Sequence, residues 1–281
     1  MISVSALCGY LYCPRKLFLQ YVLKLEEPPK ESLVLGTVRH NCYDGINKAE
    51  EGIVRTIKRG LVFESILAAY KKEHLKILRE TVEKNTQQIK NVCLAPEDVF
   101  SQTLSYIMFE SRQRAINIFD FVRKNNVFGD ELWEALTPKI ISELSIQSYA
   151  LGLRGIIDMI EVYPDKRIPV ELKTGSMPLS GVWPGHKIQI ASYGLLLEEE
   201  FKQPINEGYV VYLDANERRH IPFNVFLKDE IKDLIKKVNE LKESPKAPQI
   251  LSNTSKCKSC GLREQCYNTS YINELAKGIA A

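Results

Sequence analysis

Residues 153–174 read LRGIIDMIEVYPDKRIPVELKT, and the fold of the chain turns on them. Two runs rich in Ile and Val flank Pro164-Asp165-Lys166-Arg167, a turn composition, so the stretch predicts a β-hairpin. Side chains alternate faces along a strand, which puts Glu171 and Lys173 on one face. With 164–167 as a four-residue loop, Tyr163 pairs with Ile168 and Asp158 falls opposite Lys173. Opposed residues share a face, so the three charged groups converge. A loop of odd length would turn Asp158 away.

The neighbours of this trio are apolar: Ile156, Ile157, Met159 and Ile160 on one strand, Pro169, Val170 and Leu172 on the other. Burying two carboxylates and an ammonium there is costly unless they bind a metal or one another. Paired carboxylates form a hard oxygen site suited to Mg²⁺ or Mn²⁺. Such an ion lowers the pKa of water and stabilises charge on a phosphate. Lys173, while charged, has no place among the ligands and is suited to orienting the attacking water or stabilising the phosphate. The bland alternative is a structural ion pair between Lys173 and a carboxylate.

Outward from the hairpin, periodicity predicts mostly helix before it and mixed elements after it. Residues 1–25 read as a helix broken at Cys13-Pro14, and 31–48 as a helix carrying His40. Residues 60–126 are helical in pattern, with a polar break from Lys84 to Pro96. Strands are expected at 139–148, 153–163, 168–174, 209–213 and 220–225, the last two around a turn at 214–217. Helices are expected at 186–200 and 227–241. This gives an α/β chain with a large N-terminal helical region. The expected divisions are 1–48, an N-terminal helical segment; 49–135, a helical insertion; 136–245, the core; and 246–281, a cysteine-bearing tail.

The chain has 281 residues and a net charge of +3, so any DNA binding must come from a local patch. No apolar run approaches the roughly 18 residues a membrane span needs. Met1 to Cys13 lacks a basic region and a cleavage site and is not read as a signal peptide. The expected location is the cytoplasm, with no membrane partner.

Four further polar residues sit near the trio in pattern. His40 offers a neutral imidazole as an extra metal ligand, which would favour Mn²⁺ somewhat; the alternative is a satisfied core histidine. Glu143 is either a carboxylate supporting the site or an exposed strand residue. Gln189 and Tyr193 share one helix face. Gln189 is placed to bond a water or phosphate, and Tyr193 to stack on a base or bond the backbone; a polar pair at a helix–sheet interface is the alternative. Trp183-Pro184-Gly185, His186 and Lys187 lie just upstream as candidate DNA contacts, with Trp183 equally suited to a core.

Seven cysteines occur, three as Cys257-x2-Cys260-x5-Cys266. Cys13 is the best candidate for a fourth ligand, and Cys8 is the alternative. Four thiolates suit tetrahedral zinc or an iron–sulfur cluster, and spacing does not choose between them. Either would close a loop of roughly 240 residues and add to stability. Cys42 and Cys93 read as buried thiols.

In order, Cys13-Pro-Arg-Lys, Gly36-x3-His40, Glu143, Gly155-x2-Asp158, Glu171-x-Lys173, Gln189-x3-Tyr193 and the three-cysteine tail resemble the RecB-like nucleases with an iron–sulfur cluster. The match is best with the fourth family of CRISPR-associated (Cas) proteins, over residues 1–48 and 139–270. The resemblance implies a restriction-endonuclease-like (PD-(D/E)XK) core with a C-terminal cluster clip. It implies a metal held by His40, Asp158, Glu171 and the Leu172 carbonyl, with Lys173 catalytic and Gln189 and Tyr193 in the motif after it. It also implies a cluster, [4Fe–4S] most often, on Cys13, Cys257, Cys260 and Cys266. Family members are DNA exonucleases, commonly acting on single strands, that take part in CRISPR spacer acquisition with integrase proteins. The long helical stretch from about 50 to 135 resembles the longer archaeal-subtype variants, and is expected to be a lid over single-stranded DNA, a docking face for partners or a packing insertion. A rival from another class is a non-catalytic DNA-binding or scaffold subunit of the spacer-acquisition complex. A zinc-ribbon protein is a second rival. The sequence leaves a homo-oligomer open.

Overall fold

The computed structural model describes residues 1–279, with side chains through Lys277. Chain order begins with a two-residue strand β1 (Ile2–Ser3), then helices α1 (Val4–Tyr12), α2 (Pro14–Tyr21), α3 (Glu31–Arg55), α4 (Phe63–Lys84), α5 (Thr86–Asn91), α6 (Pro96–Asn125) and α7 (Gly129–Ala135). Strands β2 (Lys139–Ser148), β3 (Leu153–Val162) and β4 (Arg167–Lys173) follow, then α8 (Pro184–Phe201), β5 (Glu207–Tyr212), β6 (Glu217–Pro222) and α9 (Val225–Glu243). A short 3₁₀ turn (Thr254–Cys257), α10 (Arg263–Tyr267) and α11 (Thr269–Ile279) form the tail. The mixed α/β architecture is mostly helical, as the periodicity implies.

The expected break at Cys13-Pro14 is real: Cys13 closes α1 and caps α2, its Sγ accepting from the Lys16 N–H at 3.3 Å. Ile2 and Ser3 depart from expectation by pairing as a strand, too short to leave a periodic signal. The helix expected to stop at 48 runs unbroken to Arg55, so the 48/49 division falls inside α3. The last strand lies at 217–222 rather than 220–225.

Strand β3 organises the sheet. Strand β2 pairs with it antiparallel from Leu153 to Val162, interrupted at Glu143 and Asp158. The other side of β3 is therefore shared. Parallel β1 takes Leu153 and Arg154, antiparallel β4 takes Met159 to Val162, and residues 155–158 between them have no strand partner there. Strand β5 joins β4 in parallel through the α8 crossover, and β6 completes the hairpin with β5.

Helices cover both faces. Helices α1, α2, α8 and α9 bury Leu7, Phe18, Leu196 and Leu234 with Ile157, Val210 and Tyr212 of the sheet. Helices α3 to α6 bury Val38, Ile46, Leu78 and Ile107 against Val170 and Leu172. Because β4 is covered on both faces, Ile168 to Leu172 form one continuous buried run instead of an alternating one. A separate cluster of α3, α4, α6 and α7 gathers Val54, Tyr70, Ala115 and Leu132. No helix among the described residues is long and apolar enough to cross a membrane.

Candidate active site

The hairpin forms, with its register moved by two residues. The turn spans 163–166, with Pro164 and Asp165 at its centre, and the Tyr163 N–H donates to the Lys166 carbonyl at 2.8 Å. Val162 therefore pairs with Arg167. Continued one step past Met159–Val170, that register sets Asp158 opposite Glu171, not opposite Lys173 as expected. An even shift keeps the face, so the carboxylates still meet. At Asp158 the ladder gives way to a side-chain bond: Asp158 Oδ2 accepts the Leu172 N–H at 2.8 Å. The notch at 155–158 is thus held open by one of the charged residues itself.

Glu171 is 2% exposed. Its Oε1 accepts from Lys173 Nζ at 2.7 Å and from Gln189 Nε2 at 2.6 Å. Its Oε2 is buried with no partner. Burial pushes the Glu171 carboxyl up from its ordinary value, and the nearby Asp158 charge pushes it further, against the opposing pull of Lys173. Burial alone would lower the Lys173 ammonium, but the Glu171 carboxylate outweighs it and the net shift is upward.

Gln189 is fixed in turn by Tyr193, whose hydroxyl lies 3.2 Å from Nε2. The Tyr193 ring is 5% exposed and lies over Gly155, where an added Cβ would sit 2.7 Å from a ring carbon. That contact accounts for a glycine three residues before Asp158. It also corrects one expectation, because a ring this buried has no free face for a base. Gln189 directs its Nε2 to Glu171 and Tyr193.

His40 reaches the notch from α3, with Nδ1 3.4 Å from Asp158 Oδ1. One helical turn further, Asp44 accepts from Ser142 Oγ at 2.6 Å and binds α3 to β2. Glu143 stands on β2 level with Asp158, in the left-handed backbone region at φ 52°. A non-glycine residue held there is strained, by about 1–3 kcal/mol. Its carboxyl is raised by burial and by Asp158 and Asp44. One ligand atom each from His40, Glu143 and Asp158 lie within 4.8 Å of one another, a compact set for a cation. The sequence left Glu143 between two roles; its level with Asp158 was the available signal. Glu171 stands beside this set rather than within it.

A family model described as the PD-(D/E)XK nuclease superfamily matches residues 1–267. The chain belongs to that superfamily. Among curated proteins it is 27% identical over 128 residues (44% of this chain) to the "CRISPR-associated exonuclease Cas4/endonuclease Cas1 fusion" of Myxococcus xanthus. It is 28% identical over 147 residues (49%) to the same kind of fusion in Leptospira interrogans. It is 30% identical over 131 residues (46%) to "CRISPR-associated exonuclease Cas4" of Francisella tularensis subsp. novicida. These matches span 22%, 27% and 59% of the relatives, so the chain covers less than two thirds of each.

One anchor of this candidate site has no signal in the sequence. Arg39, beside His40, is 8% exposed, lies 3.8 Å over the Tyr106 ring and pairs with Asp214. Asp214 also accepts the Gly175 N–H just past β4. Burial opposes the Asp214 charge, yet Arg39 and that N–H hold its carboxyl below the usual range. The helix bearing His40 and the strand bearing Glu171 are thereby clamped together. The partners are 175 residues apart, beyond any local pattern.

Cys13, Cys257, Cys260 and Cys266 line one small cavity. Arg15, 6% exposed, donates Nε to Cys266 Sγ at 3.2 Å, Nη1 to the Pro248 carbonyl at 2.6 Å and Nη2 to the Cys266 carbonyl at 2.9 Å. Burial raises the Cys266 thiol and Arg15 opposes the shift. Cys8 is elsewhere, its Sγ donating to the Gly185 carbonyl at 3.3 Å beside Lys173. Cys42 is buried, but Cys93 is exposed on a left-handed turn before α6, against expectation.

Proposed function

We propose that the chain is a divalent-metal-dependent deoxyribonuclease that degrades single-stranded DNA or DNA ends. The observation that carries this is Glu171: a buried carboxylate with one oxygen satisfied twice and the other left without a partner. A lone pair abandoned in a nearly dry interior is expensive unless a cation completes it. Asp158, His40 and Glu143 crowd the same notch, and carboxylate oxygens with one imidazole fit Mn²⁺ or Mg²⁺. His40, Asp158, Glu171 and the Leu172 carbonyl would hold the ion, with Glu143 added as a candidate ligand.

When bound, the metal supplies Lewis-acid activation of water and charge stabilisation on the phosphate. The remaining work falls to the chain. Lys173, kept charged by Glu171, is set to hold the attacking water or the developing phosphate charge. Gln189 and Tyr193 fix the rotamer of Glu171 from below, and the Arg39–Asp214 clamp fixes the spacing of α3 and β4.

The four convergent thiols fit an iron–sulfur cluster, [4Fe–4S] by the family resemblance, and the N–H groups aimed at Cys13 and Cys266 suit thiolate sulfur. Such a cluster would tie the two ends of the chain together. The relatives' names support a role in CRISPR spacer acquisition beside an integrase of the Cas1 kind.

Digestion of end-labelled DNA with Mn²⁺ tests the proposal, with wild type and Glu171→Ala compared after anaerobic purification. Metal-dependent cleavage by the wild type alone is expected. Equal background cleavage by both would leave a DNA-binding scaffold as the function. Brown protein containing iron is expected, and colourless protein with stoichiometric zinc would replace the cluster by a zinc site.

A further inference from the structure

A groove of about 890 Å³ opens at Lys173 and runs along α1 and α2 toward the cysteine cavity. Lys173, Trp183, Lys30, Lys16, Tyr12 and Lys256 are among the residues of its walls. Its one acidic wall residue, Glu27, is already held by Lys16 at 2.5 Å and Lys30 at 2.6 Å, so the surface is left positive. Both lysines next to Tyr12 lie over its ring, Lys256 at 4.9 Å and Lys16 at 5.9 Å from the centroid.

Trp183 is the unusual member. Its Nε1 donates to the Ser176 carbonyl at 3.0 Å and its backbone N–H to the Tyr212 hydroxyl at 3.4 Å. The loop that carries it is pinned again by Arg219, which donates to the Pro178 and Gly181 carbonyls. The indole is thus fixed at its polar edge, yet 44% of the residue remains exposed beside the catalytic lysine. A large apolar ring held rigid and left wet is a prepaid contact surface.

We propose that this groove holds a single polynucleotide strand, with the Trp183 ring as the platform on which a base stacks next to the bond cut at Lys173. The inference rests on the nuclease function proposed above. Lysines at intervals follow a phosphate backbone, and an aromatic face takes any base whose own face is free. Bases inside a duplex are stacked and offer no such face, so the pairing of groove and platform selects an unpaired strand. Trp183 is then a positioning residue: it sets where the strand lies and takes no part in bond cleavage.

The chain has two tryptophans, which makes the test spectroscopic. Trp133 packs against the distal helical cluster with Lys139 over its ring at 4.6 Å. In a Trp133→Phe background, indole emission reports Trp183 alone. Short oligothymidylate, added with a chelator to prevent cleavage, is expected to quench that emission, and a blunt duplex of equal length is not. Trp183→Ala is expected to weaken oligothymidylate binding about tenfold and to raise KM much more than it lowers kcat. Trp183→Phe, which keeps a ring, is expected to restore most of the loss, with unchanged melting temperature excluding misfolding. Oligothymidylate that binds by anisotropy without quenching would overturn the platform, as would Trp183→Ala binding it like wild type. Absence of both binding and cleavage in the wild type would instead sink the nuclease function on which the platform depends.

Discussion

Two charge clusters lie along α3, and they are built on opposite principles. In the helical layer, Arg114 donates Nη1 to Glu50 at 2.5 Å, Nε to Glu110 at 2.7 Å and Nη2 to Asn47 at 2.6 Å. Tyr70 adds its hydroxyl to Glu50 at 2.5 Å. Burial opposes the Arg114 charge, but the two glutamates more than compensate. In the notch, Glu171 has a bare oxygen, Glu143 sits on strained backbone, and three acidic groups outnumber the cations. In the first cluster every charged group is paired, and the orphan is a neutral donor, Asn47 Nδ2. The second is open, and an open cluster is stable only if something completes it. Completeness, more than charge or depth, separates a structural ion network from a site.

Glu171→Gln should therefore be the largest functional perturbation. Loss of cleavage on the order of 10³-fold or more is expected, as when a member of a catalytic unit is removed. Melting temperature without metal should hold or rise, because the amide relieves carboxylate crowding. Arg114→Ala should do the reverse, costing about 3–5 kcal/mol in chemical denaturation by stranding Glu50 and Glu110. Cleavage per folded molecule should stay near wild type. Saturating Mn²⁺ should raise stability by about 2.7 kcal/mol at a hundred times its Kd, and Glu171→Gln should abolish that gain. Gln189→Ala, which only frees Glu171 to move, should cost about 10- to 100-fold in activity.

The smallest effect concerns pH. Burial holds His74 neutral in the helical layer, pushing its pKa down to about 3, with Arg114 adding to the shift. The unfolded chain takes up that proton below about 6.5 and the folded chain does not until about 3. Stability should fall as pH drops through that window, and His74→Asn should flatten this part of the melting-temperature profile.

The site was legible where chemistry repeats at fixed spacing. Glu171 and Lys173 two apart on a strand, and Gln189 and Tyr193 four apart on a helix, follow from backbone period alone. The face shared by Asp158 and Glu171 survived a register error because the error was even. The Arg39–Asp214 clamp and the Arg114 cluster were invisible because their partners are distant in sequence. The role of Tyr193 stayed open because periodicity places a ring on a face without saying that Gly155 lets it sink there. The expected insertion at 49–135 splits in packing: part of it seals β4 through Leu78 and Ile107, and part builds its own cluster around Tyr70 and Leu132.

Calorimetric titration of Mn²⁺ into wild type and Glu171→Gln tests the open cluster most directly. Saturable binding by the wild type and its loss in the variant are expected, with the variant melting at or above the wild type without metal. Equal binding by the two, or none by the wild type, would contradict an open cluster.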